Sequence, residues 1–183
     1  MSDQDRDHWD DRYRETRVAP IGDHGPPPAL MPAAHLIPST GSALEIACGR
    51  GRAAVWLAMR GIQVWGVDVS PVAIRLARRL ARSNAVADHC RFDVFDLDGG
   101  LPEGPPVDLI LCHLFRDPRL DQAIIERLSP GGILAIAVLS EVDAGPGPFR
   151  AAPGELTAAF SPLEILASGE ATGTAWLVGE RAQ

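Results

Sequence analysis

The sequence predicts an α/β domain built on a mostly parallel sheet with helices on both faces, and three observations carry that prediction. From Gly41 onward short apolar runs alternate with helical patterns, the signature of strands joined by crossover helices. Two of those runs, Val107-Asp-Leu-Ile-Leu-Cys112 and Ile133-Leu-Ala-Ile-Ala-Val-Leu139, are apolar nearly throughout, as strands are when both faces of their sheet are covered. A glycine-bearing turn, Cys48-Gly-Arg-Gly51, stands between the first such run and a helical pattern.

The strands are expected at 43–47, 62–67, 90–95, 107–113 and 132–140. A helix follows Ser70, which can cap it, with Pro71 in its first turn. Its apolar stripe is Val72, Ala73, Leu76, Ala77 and Leu80, and Arg75, Arg78, Arg79 and Arg82 form a second stripe on the other side. A solvated helix face explains the arginines without a nucleic-acid partner. After the fifth strand come a loop rich in glycine and proline, a short helix near 154–160, and two strands at about 163–169 and 174–180. Gly169 to Gly173 supply hairpin turn chemistry between those strands.

Before Gly41 the chain reads differently. His8 to Arg17 suits a short helix with Trp9 and Tyr13 on one face, and two readings stand for it: packing on the domain surface, or a lid over a ligand. Six of the 16 prolines fall between Pro20 and Pro38, so that stretch is expected to be a wrapping connector, neither helix nor strand. The division is therefore 1–40 as arm and connector and 41–183 as the domain.

Composition narrows the chemistry. The chain has 183 residues, 46% of them hydrophobic and 22% charged, with a net charge of −7, as expected for one globular domain. All 17 basic residues are arginine, which excludes a lysine Schiff base and the phosphate-binding lysine of a P-loop. The acidic balance argues against nonspecific nucleic-acid binding, and no apolar run approaches the roughly 18 residues of a membrane span. Cys48, Cys90 and Cys112 have neither disulfide-framework nor metal spacing, so no metal is expected and a reducing cytoplasm is the simplest location.

The segment Ala43 to Gly61 carries most of the functional information. Gly49 and Gly51 permit a tight turn that a ligand can approach closely, with helix N–H groups facing it. Glu45 lies four residues before Gly49, where its charge suits a cationic ligand group. Asp68 ends the second strand, 19 residues after Gly49, the spacing at which a carboxylate accepts from ribose hydroxyls. Asp96 follows the third strand and is placed to accept from an adenine amine. A nicotinamide-dependent oxidoreductase fits poorly, because Glu45 would repel the cofactor pyrophosphate.

In these motifs the chain resembles the class I S-adenosylmethionine-dependent methyltransferases. The resemblance rests on Glu45-Ile-Ala-Cys-Gly-Arg-Gly51, Val67-Asp68-Val69-Ser70, Asp96-Leu97, Asp108 to Cys112 and Leu128-Ser-Pro-Gly-Gly132. Within that class it is most similar to the small bacterial branch of tellurite-resistance and thiopurine methyltransferases, through Trp9, Arg12 and Tyr13 in the arm and the segment Arg150 to Leu156. The resemblance implies a Rossmann-like sheet of seven strands in the order 3-2-1-4-5-7-6, with the last strand reversed. It also implies S-adenosylmethionine as cofactor, held by Glu45, Cys48, Gly49, Gly51, Asp68, Val69, Asp96 and Leu97, and a small-molecule methyl acceptor.

Methyl transfer by in-line displacement gains most from alignment, so a base is optional. His113, after the fourth strand, is the candidate base or else a substrate-wall residue. Arg116 and Arg150 either attract an anionic substrate or pair with surface acids. A non-catalytic protein binding S-adenosylmethionine or S-adenosylhomocysteine is the alternative reading, and monomer and homodimer both remain open.

Overall fold

The computed structural model describes residues 9–13, 24–147 and 149–183. The first two strands, β1 (Ser42–Ile46) and β2 (Gln63–Asp68), flank helix α2 (Arg52–Met59), and α3 (Pro71–Ser83) leads to β3 (Cys90–Val94). Then follow β4 (Val107–His113), α4 (Asp121–Arg127), β5 (Leu128–Ser140), β6 (Arg150–Ala151), α5 (Glu155–Ala159), β7 (Glu164–Ala171) and β8 (Thr174–Glu180). Residues 9–13 of the arm are helical and are called α1. The rest of the expected arm helix lies outside the described residues.

All these strands form one sheet, in the order β3-β2-β1-β4-β5-β8-β7. The first five are parallel, and β8 runs antiparallel to both β5 and β7. This is the expected strand order. The addition is β6, whose two residues pair with Leu139 and Ser140 at the end of β5.

Alternation along each strand sorts the core into two layers. Leu109 and Leu111 of β4 face α2 and α3, where Ala54, Leu57, Ile74 and Ala77 are buried. Ile110 and Cys112 face the other way, onto Ile124 of α4 and Leu156 and Phe160 around α5. Both faces are therefore covered, which is why these strands read as unbroken apolar runs.

Four local expectations need correction. The proline-rich connector holds a 3-10 helix, Pro28–Leu36, with a proline at its start and Pro32 inside. Three residues per turn align Leu30 with Ala33, and both, with Ile37, enter the core. In α3 the buried positions are Val72, Ala73, Ile74, Ala77 and Ala81, while Leu76 and Leu80 are only half-buried. β5 begins at Leu128 and not 132, because Leu128 pairs with Val107 ahead of a register shift, after which Ile133 pairs with Leu109. The closing hairpin turns on two residues, Thr172 and Gly173, at φ +50° and +75°, while Gly169 pairs with Trp176 inside the ladder.

The α3 cap is as expected: Ser70 Oγ accepts from Ala73 N–H at 3.1 Å. Arg75, Arg78, Arg79 and Arg82 are exposed, and Arg78 donates to the Phe92 carbonyl.

Candidate functional site

The parallel strands end on one edge of the sheet, and ligands bind in such folds where neighbouring crossovers leave that edge in opposite directions. Here that place is between β1 and β4, and it opens a cavity of about 600 Å³. Its floor is the turn after β1. Ala47 and Gly49 both take left-handed backbone, φ +51° and +52°, and Gly51 at +70° starts α2. Cys48 N–H donates to the Val67 carbonyl and Gly51 N–H to the Cys48 carbonyl, each at 2.9 Å, so the turn is fastened to β2 and to itself.

Neither glycine of the turn has room for a side chain, for different reasons. A Cβ on Gly49 would stand 2.8 Å from the Tyr13 hydroxyl, within the cavity. A Cβ on Gly51 would stand 2.8 Å from Ala77 Cβ and 3.0 Å from the Phe92 ring, in the core between α2, α3 and β3. Gly49 thus keeps space for a ligand, whereas Gly51 is needed for packing and does not line the cavity.

Two buried carboxylates stand beside the turn. Asp68 accepts from Gly49 N–H at 2.8 Å on one oxygen and from Ser70 N–H at 2.9 Å on the other. Burial raises its pKa, against the lowering effect of those two N–H groups. Each oxygen retains a lone pair for a ligand hydroxyl. Glu45 is 4% exposed and receives Ala54 N–H from the first turn of α2, but its Oε2 is buried with no hydrogen-bond partner among the described residues. Burial pushes the Glu45 carboxyl up to about 8, with the negative Asp68 adding to the shift. The same burial and the same two acids hold the Cys48 thiol well above its ordinary value, so it stays protonated.

The arm forms the roof. Asp10 is buried and accepts from the Ser70 hydroxyl, and the Trp9 and Tyr13 rings stack at 6.1 Å with Arg12 over Trp9. Trp9, Arg12 and Tyr13 all line the cavity, as do Glu45, Cys48, Gly49, Asp68, Val69, Leu97 and His113. Burial and the charge of Arg52 lower the His113 pKa, so its imidazole is neutral at pH 7.

An unpartnered buried carboxylate oxygen in the cavity lining, with a second carboxylate held by the glycine turn, can accept hydrogen bonds from a cation and from hydroxyls. Residues 43–132, from β1 into β5, match the protein family described as "Methyltransferase domain". The fold of the chain is that of the class I S-adenosylmethionine-dependent methyltransferases, a Rossmann-like sheet.

Solved structures agree in fold. TehB from Haemophilus influenzae superposes with a TM-score of 0.73 at 19% identity, over 96% of this chain and 66% of that one. An S-adenosylmethionine-dependent methyltransferase from Mesorhizobium loti gives 0.70 at 18% identity, over 84% of this chain and 98% of that one. Among curated sequences, the ribosomal protein L11 methyltransferase of Thermus thermophilus is 31% identical over 144 residues, which is 75% of this chain and 52% of the relative. The aligned region spans only 34% to 52% of the lengths of the curated relatives it matches.

Four residues expected at the methyltransferase site are elsewhere. Gly51 belongs to the core, as above. Asp96 caps the 3-10 turn Leu97–Gly99 by accepting from Asp98 N–H at 3.0 Å, and only its neighbour Leu97 reaches the cavity. Arg116 is bound on two sides, to Asp121 at 2.5 Å and to Glu155 at 2.8 Å, with its side chain 6% exposed. This ties the β4 exit to α4 and α5. Arg150 donates to the Ser140 carbonyl at 2.6 Å and holds the β6 strand to the end of β5. Arg116 takes the acid-pairing reading, because a buried guanidinium needs partners and these carboxylates are adjacent only in three dimensions, whereas Arg150 is held by a backbone carbonyl.

The sequence reading missed Asp10, His24, Arg50, Arg52, Leu114 and Phe115. Leu114 carries no signal of its left-handed φ of +58° in the sequence. Asp10 sits one residue after Trp9 in a polar run, and nothing local distinguishes it from Asp11.

Proposed function

We propose that this chain is an S-adenosylmethionine-dependent methyltransferase acting on a small molecule, and that it works chiefly by alignment and exclusion of water. The observation that carries the reading is the buried, unpartnered Glu45 Oε2 at the wall of the cavity. A lone buried acceptor is costly, on the order of 1–3 kcal/mol, and a ligand ammonium supplies the partner it lacks. The residues present fit the cofactor. Glu45 would hold its ammonium, the Cys48 and Gly49 backbone its methionyl part, Asp68 its ribose hydroxyls, and Val69 and Leu97 its adenine.

When bound, S-adenosylmethionine supplies a methyl group on a positively charged sulfur, transferred with a neutral thioether as the leaving group. The chain's own residues position and shield that chemistry. Trp9 and Tyr13 cover the cavity and keep water out, while Asp10 anchors them. His113, neutral at pH 7, can take a proton from an acceptor that carries one. The cavity supports a small acceptor, since about 600 Å³ beneath a covering arm is within the ordinary range of ligand pockets, roughly 300–1,000 Å³. The names of the curated relatives include methyltransferases of ribosomal protein and ribosomal RNA, and a macromolecular acceptor would have to displace the arm to reach the site.

Calorimetric titration with S-adenosylhomocysteine tests the cofactor assignment. Asp68→Ala is expected to weaken binding by about 1–3 kcal/mol. Unchanged affinity in that variant, or no heat with the wild type, would overturn the reading.

A further inference from the structure

On one side the sheet ends at β3, and α3 packs beside that edge strand. The outer face of α3 carries charge of a single sign. Arg75, Arg78, Arg79 and Arg82 are exposed at i, i+3, i+4 and i+7, and Pro71–Ser83 contains no acidic residue. Each of the four therefore has a like charge three or four residues away, an arrangement that destabilises a helix. Solubility does not require it, because the chain has 24 acidic residues against 17 arginines and a merely solvated face mixes both signs.

One of these arginines serves the fold. Arg78 donates to the Phe92 carbonyl at 3.2 Å and lies 3.8 Å from Asp93, which also pairs with Arg91 at 2.6 Å and accepts from the Trp65 indole N–H at 2.9 Å. The guanidinium groups of Arg75, Arg79 and Arg82 have no hydrogen bond or ion pair among the described residues. Beside them a groove of about 430 Å³ opens between α3 and β3. The exposed Arg78, Arg82 and Arg91 border it, and its apolar lining includes Ala81, Ala87 and Phe92.

We propose that the outer face of α3 and this groove form a docking surface for an acidic, amphipathic helix of a partner protein. Arg75 to Arg82 span about 10 Å along α3, so carboxylates at helical spacing on the partner can meet them in register. An apolar side chain from the same partner helix then enters the groove, the usual division between anchor and charge in helix-in-groove recognition. The observations favour protein over RNA on two grounds. A phosphate backbone has nothing to place on the apolar lining, and the net charge of −7 repels a polyanion that continues beyond the stripe, whereas a short acidic segment meets the stripe alone. The surface lies outside the cavity lining, so the inference stands independently of the cofactor reading.

The test is calorimetric titration of the full chain with a synthetic peptide of about four helical turns, with glutamates at i, i+3, i+4 and i+7 and leucines on the adjoining stripe. It should bind the wild type at low salt, and about tenfold more weakly once the ionic strength is raised to about 0.5 M. Replacing its glutamates by glutamine, or its leucines by serine, should each weaken binding about tenfold or more. The triple variant Arg75→Gln, Arg79→Gln, Arg82→Gln should lose affinity for the glutamate peptide by about tenfold. That variant should bind S-adenosylhomocysteine as the wild type does and unfold at no lower temperature, since it sheds repelling charges.

Backbone amide resonances of α3 and β3 should also move when the peptide is added to the wild type, a readout that needs no variant to fold. No binding by the wild type, undiminished binding by the folded triple variant, equal binding of the glutamine or serine peptides, or unmoved α3 resonances would each sink the assignment. So would tighter binding of a single-stranded oligouridylate of similar length through the same arginines, which would make this face a nucleic-acid site instead.

Discussion

The Ser70 hydroxyl donates its hydrogen to the Asp10 carboxylate, and in doing so ties the N-terminal arm to the first turn of α3. The same oxygen accepts from Ala73 N–H at 3.1 Å, and Asp10 lies 3.4 Å from Val72 N–H. One hydroxyl therefore caps a helix and anchors the roof of the cavity, and the Asp10 charge is favourably placed at the helix N-terminus. Through Ser70 N–H, Asp68 is fixed at the same point.

Loss of that anchor should affect both stability and binding. Ser70→Ala is expected to lower unfolding free energy by about 1–2 kcal/mol, as for other lost caps. It should also weaken S-adenosylhomocysteine binding by loosening the arm. Urea unfolding and calorimetry on the same variant check this, and an intact affinity would show that the arm does not secure the cofactor.

Glu45 makes the empty protein pH-sensitive. Its carboxyl is raised from 4.5 to about 8 in the folded chain. Between those values the unfolded chain has released this proton while the folded chain still holds it, so stability falls as pH rises through the window and the loss is complete above about 8. Glu45→Gln should remove this contribution, leaving the apo variant more stable than wild type at pH 8, with the largest gain at the alkaline end. Thermal unfolding across that pH range is the measurement.

Binding should run the other way. A ligand ammonium favours the ionised carboxylate, so at pH 7 the wild type should release close to one proton when S-adenosylhomocysteine binds. Calorimetry in buffers of different ionisation heat reads that number, and Glu45→Gln should bring it near zero while weakening affinity.

The two turn glycines should fail differently. Gly51→Ala places a methyl against Ala77 and the Phe92 ring at left-handed backbone, and is expected to cost stability by about 1–3 kcal/mol. Gly49→Ala meets only the Tyr13 side chain, closest at the hydroxyl that forms its far end. It should lose less stability and more cofactor affinity. Equal stability loss in both variants would contradict the separation of roles.

Arg116 provides the contrasting case of a residue near the site with a structural task. Arg116→Leu strands Asp121 and Glu155 without their shared cation, at a cost of roughly 3–5 kcal/mol for a pair this buried. Chemical denaturation should show the loss, while affinity for S-adenosylhomocysteine in the folded variant should change little.

By itself the sequence determined the five parallel strands, the α3 cap at Ser70 and the cluster of Glu45, Gly49 and Asp68, because each depends on local pattern, whereas the strand order came from the family resemblance. An apolar run covered on both faces, a capping serine before Pro71 and a carboxylate at a strand end are all written within a few residues. The cavity at the parallel edge follows from the same pattern, since a strand that stops at glycine exposes the next helix's N–H groups.

Tertiary structure alone decided which polar groups are spoken for. Arg116 and Arg150 look as available as Arg12 in the chain, yet their partners Asp121, Glu155 and the Ser140 carbonyl are brought up by later elements. Asp10 acquires its role only when α1 packs against Ser70, a residue far downstream. Pairing is a matter of distance in space, and a buried charge or imidazole is defined by what surrounds it, which sequence spacing does not record.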